Sequence, residues 1–137
     1  MTRYVYAELD GDKLDPSLVS YAMDVLEEAR YQLDLYGRHV AAYSIRWYVR
    51  SERAEEYPLT AHGRRLDIPD DRHLSGWYLD RPWIAVRADQ SRRDTALTVC
   101  HEAYHAWQEA HDKPSDEASA ERFAQRLVAR LEKENAA

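Results

Sequence analysis

The sequence predicts an α+β domain with an N-terminal helix, a small mostly antiparallel sheet and two C-terminal helices. Three patterns carry that prediction. Apolar residues recur at helical spacing between Asp15 and Gly37, β-forming residues cluster in short runs between Val40 and Val86, and two further helical stripes follow Ser91. The strand runs sit together between the helices, so an alternating βαβ array is not expected. The 137 residues fit one domain, residues 1–137, which can bury roughly two-thirds of the surface of its unfolded chain and fold without disulfides.

The first helix opens at Asp15-Pro16-Ser17, where Asp15 can accept from free backbone N–H groups and the fixed φ of Pro16 suits the first turn. Leu18, Ala22, Leu26, Ala29, Leu33 and Tyr36 form its apolar stripe, and Gly37 suits its end. Over residues 40–49, Tyr43, Ile45, Trp47 and Val49 alternate as one face of a strand does. Residues 51–75 are polar and punctuated by Pro58, Gly63 and Pro69, so they read as loop with a short strand at 66–68. Runs at 76–79 and 83–86 flank Asp80-Arg81-Pro82 and read as two strands joined by a turn. Ser91 with Asp94 three residues later resembles a capping box, opening a helix to about Ala110. Asp112-Lys113-Pro114 ends it. Ser115 is expected to cap the last helix, whose stripe is Ala120, Phe123, Ala124, Leu127 and Leu131.

Composition excludes several function classes. A net charge of −6 weighs against binding a phosphate backbone, which rests on clustered cations, and Arg64-Arg65 and Arg92-Arg93 are too few to track a groove. No nucleic-acid partner is therefore expected. No apolar run approaches the roughly 20 residues that span a bilayer. The opening Met1-Thr2-Arg3-Tyr4-Val5-Tyr6 lacks the apolar block of a signal peptide. The expectation is a cytoplasmic protein with no membrane partner, and the single Cys100, unable to form an internal disulfide, suits a reducing compartment. Ten Tyr and four Trp against one Phe are expected to line core or groove with their polar tips in water.

The chemistry concentrates in His101-Glu102-Ala103-Tyr104-His105, an HExxH motif within the helix that starts near Ser91. Residues four apart lie on one helix face about one turn apart, so both imidazoles can reach a single Zn²⁺. Glu102 then stands beside the metal's water as a general base. Cys100 points about 100° away from His101 on the helical wheel and is expected to be a small buried apolar residue instead of a nucleophile or ligand.

A catalytic zinc site takes three protein ligands and keeps one position open. Two residues compete for the third place. Glu117 opens the last helix and lies nearer the centre of its apolar stripe than Glu121, hence towards the core, while Glu121 can accept a proton from a ligand imidazole. His111 enters because residues 101–111 nearly reproduce HExxHxxGxxH. Gln108 occupies the Gly position, however, where a positive φ is costly, and both methionines, Met1 and Met23, precede the motif, so no downstream Met turn is available.

From about Gly76 to Val128 the chain resembles zinc metallopeptidases of the ImmA/IrrE type and, more broadly, the smallest gluzincins. The resemblance rests on Gly76-Trp77-Tyr78, on Ile84-Ala85-Val86, and on Arg93 to Cys100 leading into the HExxH motif. It rests also on Glu117-Ala118-Ser119-Ala120-Glu121-Arg122-Phe123-Ala124, which is similar to the family's E-x-x-A-x-x-F-A segment. It implies His101, His105 and Glu117 as zinc ligands, Glu102 as the catalytic base, and a peptide or protein substrate such as a cytosolic regulator. The chain departs from the pattern at Tyr104, where Gly is usual, in the short segment between His105 and Glu117, and in lacking a Leu-Leu-Met-Pro ending beyond Leu127-Val128.

The expected activity is zinc-dependent peptide hydrolysis. Tyr78, His73, Tyr104 and His111 are the candidates for stabilising the oxyanion, and the strand at 83–86 offers an edge for an extended peptide. The alternative is a non-catalytic zinc-binding interaction or regulatory protein on the same fold. Glu102 weighs against it, because a structural zinc site needs no base and usually closes with Cys or His.

Overall fold

A computed structural model describes residues 4–8, 14–34, 44–51, 65–68, 76–80, 83–114 and 116–136. Along the chain come β1 (Tyr4–Glu8), α1 (Pro16–Asp34), β2 (Ser44–Ser51), β3 (Arg65–Ile68), β4 (Gly76–Asp80), β5 (Trp83–Arg87), α2 (Arg92–Ala110) and α3 (Glu117–Ala136). The class is α+β.

Side-chain caps fix where each helix begins. Asp15 Oδ1 accepts from Ser17 N at 3.0 Å, and Pro16 opens α1. Tyr36 and Gly37, expected in its last turn, lie outside the described residues. Ser91 Oγ accepts from Asp94 N at 3.1 Å and its carbonyl from Thr95 N at 2.9 Å, which starts α2. For α3 the cap is Asp116: its Oδ1 accepts from Ala118 N at 3.1 Å and Ser119 N at 3.3 Å, and the Ser119 hydroxyl donates to Oδ2. Those bonds, led by the Ser119 hydroxyl, hold the Asp116 carboxyl below its usual range. The expected cap, Ser115, lies outside the described residues, and the carboxylate one position later serves in that role.

The sheet has five strands in the order β3-β1-β2-β5-β4. β1 pairs antiparallel with β2 and β3, and β4 pairs antiparallel with β5. At the centre, β2 and β5 run parallel, with Ile45 opposite Ile84 and Trp47 opposite Val86. The expectation of a mostly antiparallel sheet needs correcting at this ladder: the sheet is mixed, and β1 was not foreseen. A parallel pair is ordinarily covered on both faces. Accordingly, Arg46, Tyr48 and Ala85 on one face are buried, as are Ile45, Trp47, Ile84 and Val86 on the other. The strand at 83–86 is also not an edge. β5 has partners on both sides, and β4 is the outer strand next to it.

The helices cover the Ile45, Trp47, Ile84 and Val86 face, and α2 is the central one, touching α1, α3, β4 and β5. Its inward face is built from small residues: Ala96, Val99, Cys100, Ala103 and Ala106 are fully buried. They meet Ala22 and Ala29 of α1 and Ala124 of α3, so the helices approach closely around short side chains. No described helix is long and apolar enough to cross a membrane.

Such a seam has no room for added volume. Ala29→Leu is therefore expected to destabilise the fold by about 2 kcal/mol despite its larger apolar surface, as urea unfolding would measure. An unchanged midpoint would mean that the α1 seam is loosely packed.

Candidate metal centre

α2 carries His101 and His105 one turn apart on the face opposite its alanine seam. The two rings meet edge-on with centroids 4.7 Å apart, and their Nε2 atoms are 3.1 Å from each other. One ligand atom from each of His101, Glu102 and His105 lies within 4.8 Å of the others, a group able to hold a metal ion. Glu117 reaches across from the first turn of α3. Its Oε2 is 2.8 Å from His101 Nε2 and its Oε1 is 2.8 Å from His105 Nε2, so the carboxylate bridges both imidazoles.

The remaining ring nitrogens are held from behind. His101 Nδ1 lies 3.3 Å from Glu121 Oε2, and His105 Nδ1 lies 3.0 Å from Gln108 Oε1. With the proton on Nδ1, each ring would donate to those oxygens and leave its Nε2 lone pair for a metal. Glu121 is the orienting residue that helical spacing predicts. Gln108 does not emerge from the sequence reading, where it figures only at the Gly position of the longer motif. Its position three residues after His105, on the same helix face, was the available signal.

Gln108 also explains why His111 stays apart from this group. The backbone remains helical through Gln108 and turns only at Asp112, whose φ of 53° is in the left-handed region. Gln108 carbonyl oxygen accepts from His111 N at 3.2 Å and from Lys113 N at 2.9 Å, which closes the C-terminus of α2 in the manner of a Schellman turn. His111 packs edge-on against Trp107 with centroids 5.5 Å apart.

Depth grades the site. The side chains of His101 and His105 are 21% and 11% exposed, while that of Glu117 is 76% exposed. The expectation that Glu117 points to the core is corrected here. It lies on the rim of the site, because the start of α3 overlies the imidazoles and not the alanine seam. Glu102 is the buried member, 6% exposed, and its Oε2 has no hydrogen-bond partner among the described residues. Burial pushes its carboxyl up from the ordinary range, the two imidazoles pull it down, and Glu117 adds a smaller upward push.

Of the oxyanion candidates, Tyr104 packs against Trp107 and Phe123, with centroids 5.3 and 5.4 Å away. For Tyr78 only the β4 backbone is described, and His73 lies outside the described residues. No family model, curated protein or solved structure matches the chain.

Cys100 is fully buried in the α2 seam, and burial raises its thiol to about 12. A thiol of that pKa is ionised to about one part in ten thousand at pH 8. The folded protein should leave Cys100 unmodified by iodoacetamide at pH 8, with complete labelling in urea, as mass spectrometry would show. Rapid labelling of the native chain would contradict its place in the core.

Proposed function

We propose that this chain is a zinc-dependent peptidase of the small gluzincin kind, similar to the ImmA/IrrE metallopeptidases. His101, His105 and Glu117 would hold the metal, with Glu102 as general base. One observation carries the reading: all four imidazole nitrogens face an acceptor, two of them the same carboxylate. A neutral imidazole has one N–H. Serving every contact with protons would make both rings cationic with Nε2 atoms 3.1 Å apart. A single divalent ion among the Nε2 atoms and Glu117 supplies the same two charges without that repulsion. The separations of 2.8 to 3.1 Å are slightly under the roughly 3.4 Å edge of a zinc tetrahedron, so a small outward adjustment accommodates the ion.

When bound, zinc supplies a Lewis acid and lowers the pKa of its water from 15.7 to about 7. The chain's own residues do the rest. Glu102, buried and with one carboxylate oxygen unpartnered among the described residues, takes a proton from the attacking water and passes it to the departing amine. Burial raises its basicity, which suits that exchange. Glu121 and Gln108 keep the rings oriented. A peptide substrate, for which a regulatory protein is a fitting source, would add to the outer strand β4 by main-chain hydrogen bonding and lie next to α2.

Metal analysis of the purified chain is expected to find about one zinc per molecule, with added Zn²⁺ raising the melting temperature of chelator-treated protein. Glu117→Ala should weaken zinc at least tenfold, Glu121→Ala and Gln108→Ala less, and His111→Ala scarcely at all. If His111→Ala strips the metal while Glu117→Ala retains it, the ligand set is wrong.

Glu102→Gln should keep zinc and fold yet abolish peptide cleavage, because the amide cannot accept the proton. Cleavage at near wild-type rate in that variant would refute the assigned base. A chain that binds zinc and cleaves no peptide would instead support the binding-protein alternative.

A further inference from the structure

Beside the metal centre, a groove of about 700 Å³ opens between the C-terminal half of α2, the length of α3 and the end of α1. Its floor is apolar, built from Tyr104, Trp107, Phe123 and Leu127. Its rim is cationic. Arg122, Arg126 and Arg130 recur every fourth residue along α3, and Lys113 stands at the corner between the helices with its ammonium 5.7 Å from the Trp107 ring centroid. This clustering runs against the chain's net charge of −6.

The cations are not all spent on the protein itself. Arg130 pairs with Glu28 and Glu134 and so holds α3 to α1. Arg122 donates to the Ser119 hydroxyl at 3.2 Å and acts on the Asp116 carboxyl only through space, the smallest of the influences on it. Arg126 has no ion-pair partner among the described residues. Two arginines and a lysine thus border an aromatic floor without a direct ion pair among the described residues.

We propose that this groove binds an acidic peptide segment: an aromatic or branched apolar residue seats on the Trp107 and Phe123 floor, and flanking carboxylates meet Arg122, Arg126 and Lys113. Residues four apart on a helix are about 6 Å apart along its axis, close to the roughly 6.6 Å between alternate residues of an extended chain. Successive carboxylates on one side of an extended peptide therefore match successive arginines. A short acidic segment feels mainly charges within a Debye length of about 8 Å, whereas a long polyanion would extend over the acidic remainder of the surface. An acidic peptide is accordingly favoured over a nucleic acid. The groove shares Tyr104 with the HExxH motif, and Ser119 in its lining is two residues from Glu117, so a bound segment ends beside the metal centre. The binding itself does not rest on the metal reading.

Fluorescence anisotropy with the full chain tests this, using a fluorescein-labelled octapeptide that alternates glutamate with leucine around one phenylalanine. Saturable binding is expected, weakening as salt is raised. Replacing every glutamate by glutamine in the probe should lower the affinity at least tenfold. So should Arg122→Glu combined with Arg126→Glu, both exposed positions whose circular dichroism should match wild type, and Lys113→Glu alone should lower it several-fold. Chelating the metal should leave the affinity unchanged, which separates this proposal from the peptidase reading. Equal binding of the glutamine probe, no loss in the charge-reversed variants, or tighter binding of a labelled single-stranded oligonucleotide would overturn it.

Discussion

The side chain of Gln108 is the point on which the site and the turn between α2 and α3 both depend. It is 4% exposed, and its Oε1 faces His105 Nδ1 at 3.0 Å and Asp116 N at 3.4 Å. Its backbone carbonyl meanwhile takes the two N–H groups that close α2. One residue therefore ends a helix, orients a ring and anchors the residue that caps the next helix. Glu117, immediately after that cap, inherits its position from the chain of contacts. A buried carboxamide with its acceptor satisfied twice is stable where it is, and a group unable to accept would leave both donors without their partner.

α2 serves two environments at once. Its seam of Ala96, Ala103, Ala106 and Cys100 lets α1, α3 and the sheet come close, and its opposite face presents the imidazoles. Between these faces lies Glu102, deep enough to lose most of its hydration and near enough to both rings to be drawn back towards ionisation. Packing and chemistry are thus coupled within the five-residue motif: Ala103 belongs to the core, and its neighbours on either side belong to the site and the groove.

What the sequence disclosed follows the range of the interactions. Helix starts at Asp15 and Ser91 and the placing of both histidines on one face are local matters, and they were legible. The contact of Glu121 with His101 followed from helical spacing combined with a correct pairing of α2 with α3. The parallel β2–β5 ladder was not legible, because strand direction is fixed by a crossover spanning residues 52 to 82 and not by any property of Ile45 or Ile84. Burial of Arg46 and Tyr48 hid it further, since their polar atoms read as a solvent face. Glu117 faces both rings, but not by the route that the helical wheel suggests. The wheel located its angle on α3, whereas the start of that helix, set by Asp116 and Gln108, decides what the angle faces.

The corner between α2 and α3 exposes Asp112, Lys113, Pro114 and Asp116, and in such a place chain length ordinarily varies freely. Here it cannot. One inserted residue ahead of the cap would push α3 along its axis or turn it by about 100°, carrying the Glu117 carboxylate away from the rings while leaving every core contact of α2 with α1 and the sheet untouched. The spacing between the second histidine and the glutamate is therefore a ruler: a chain could lose the contact between its imidazoles and that carboxylate through a single-codon insertion in an exposed turn, and still fold.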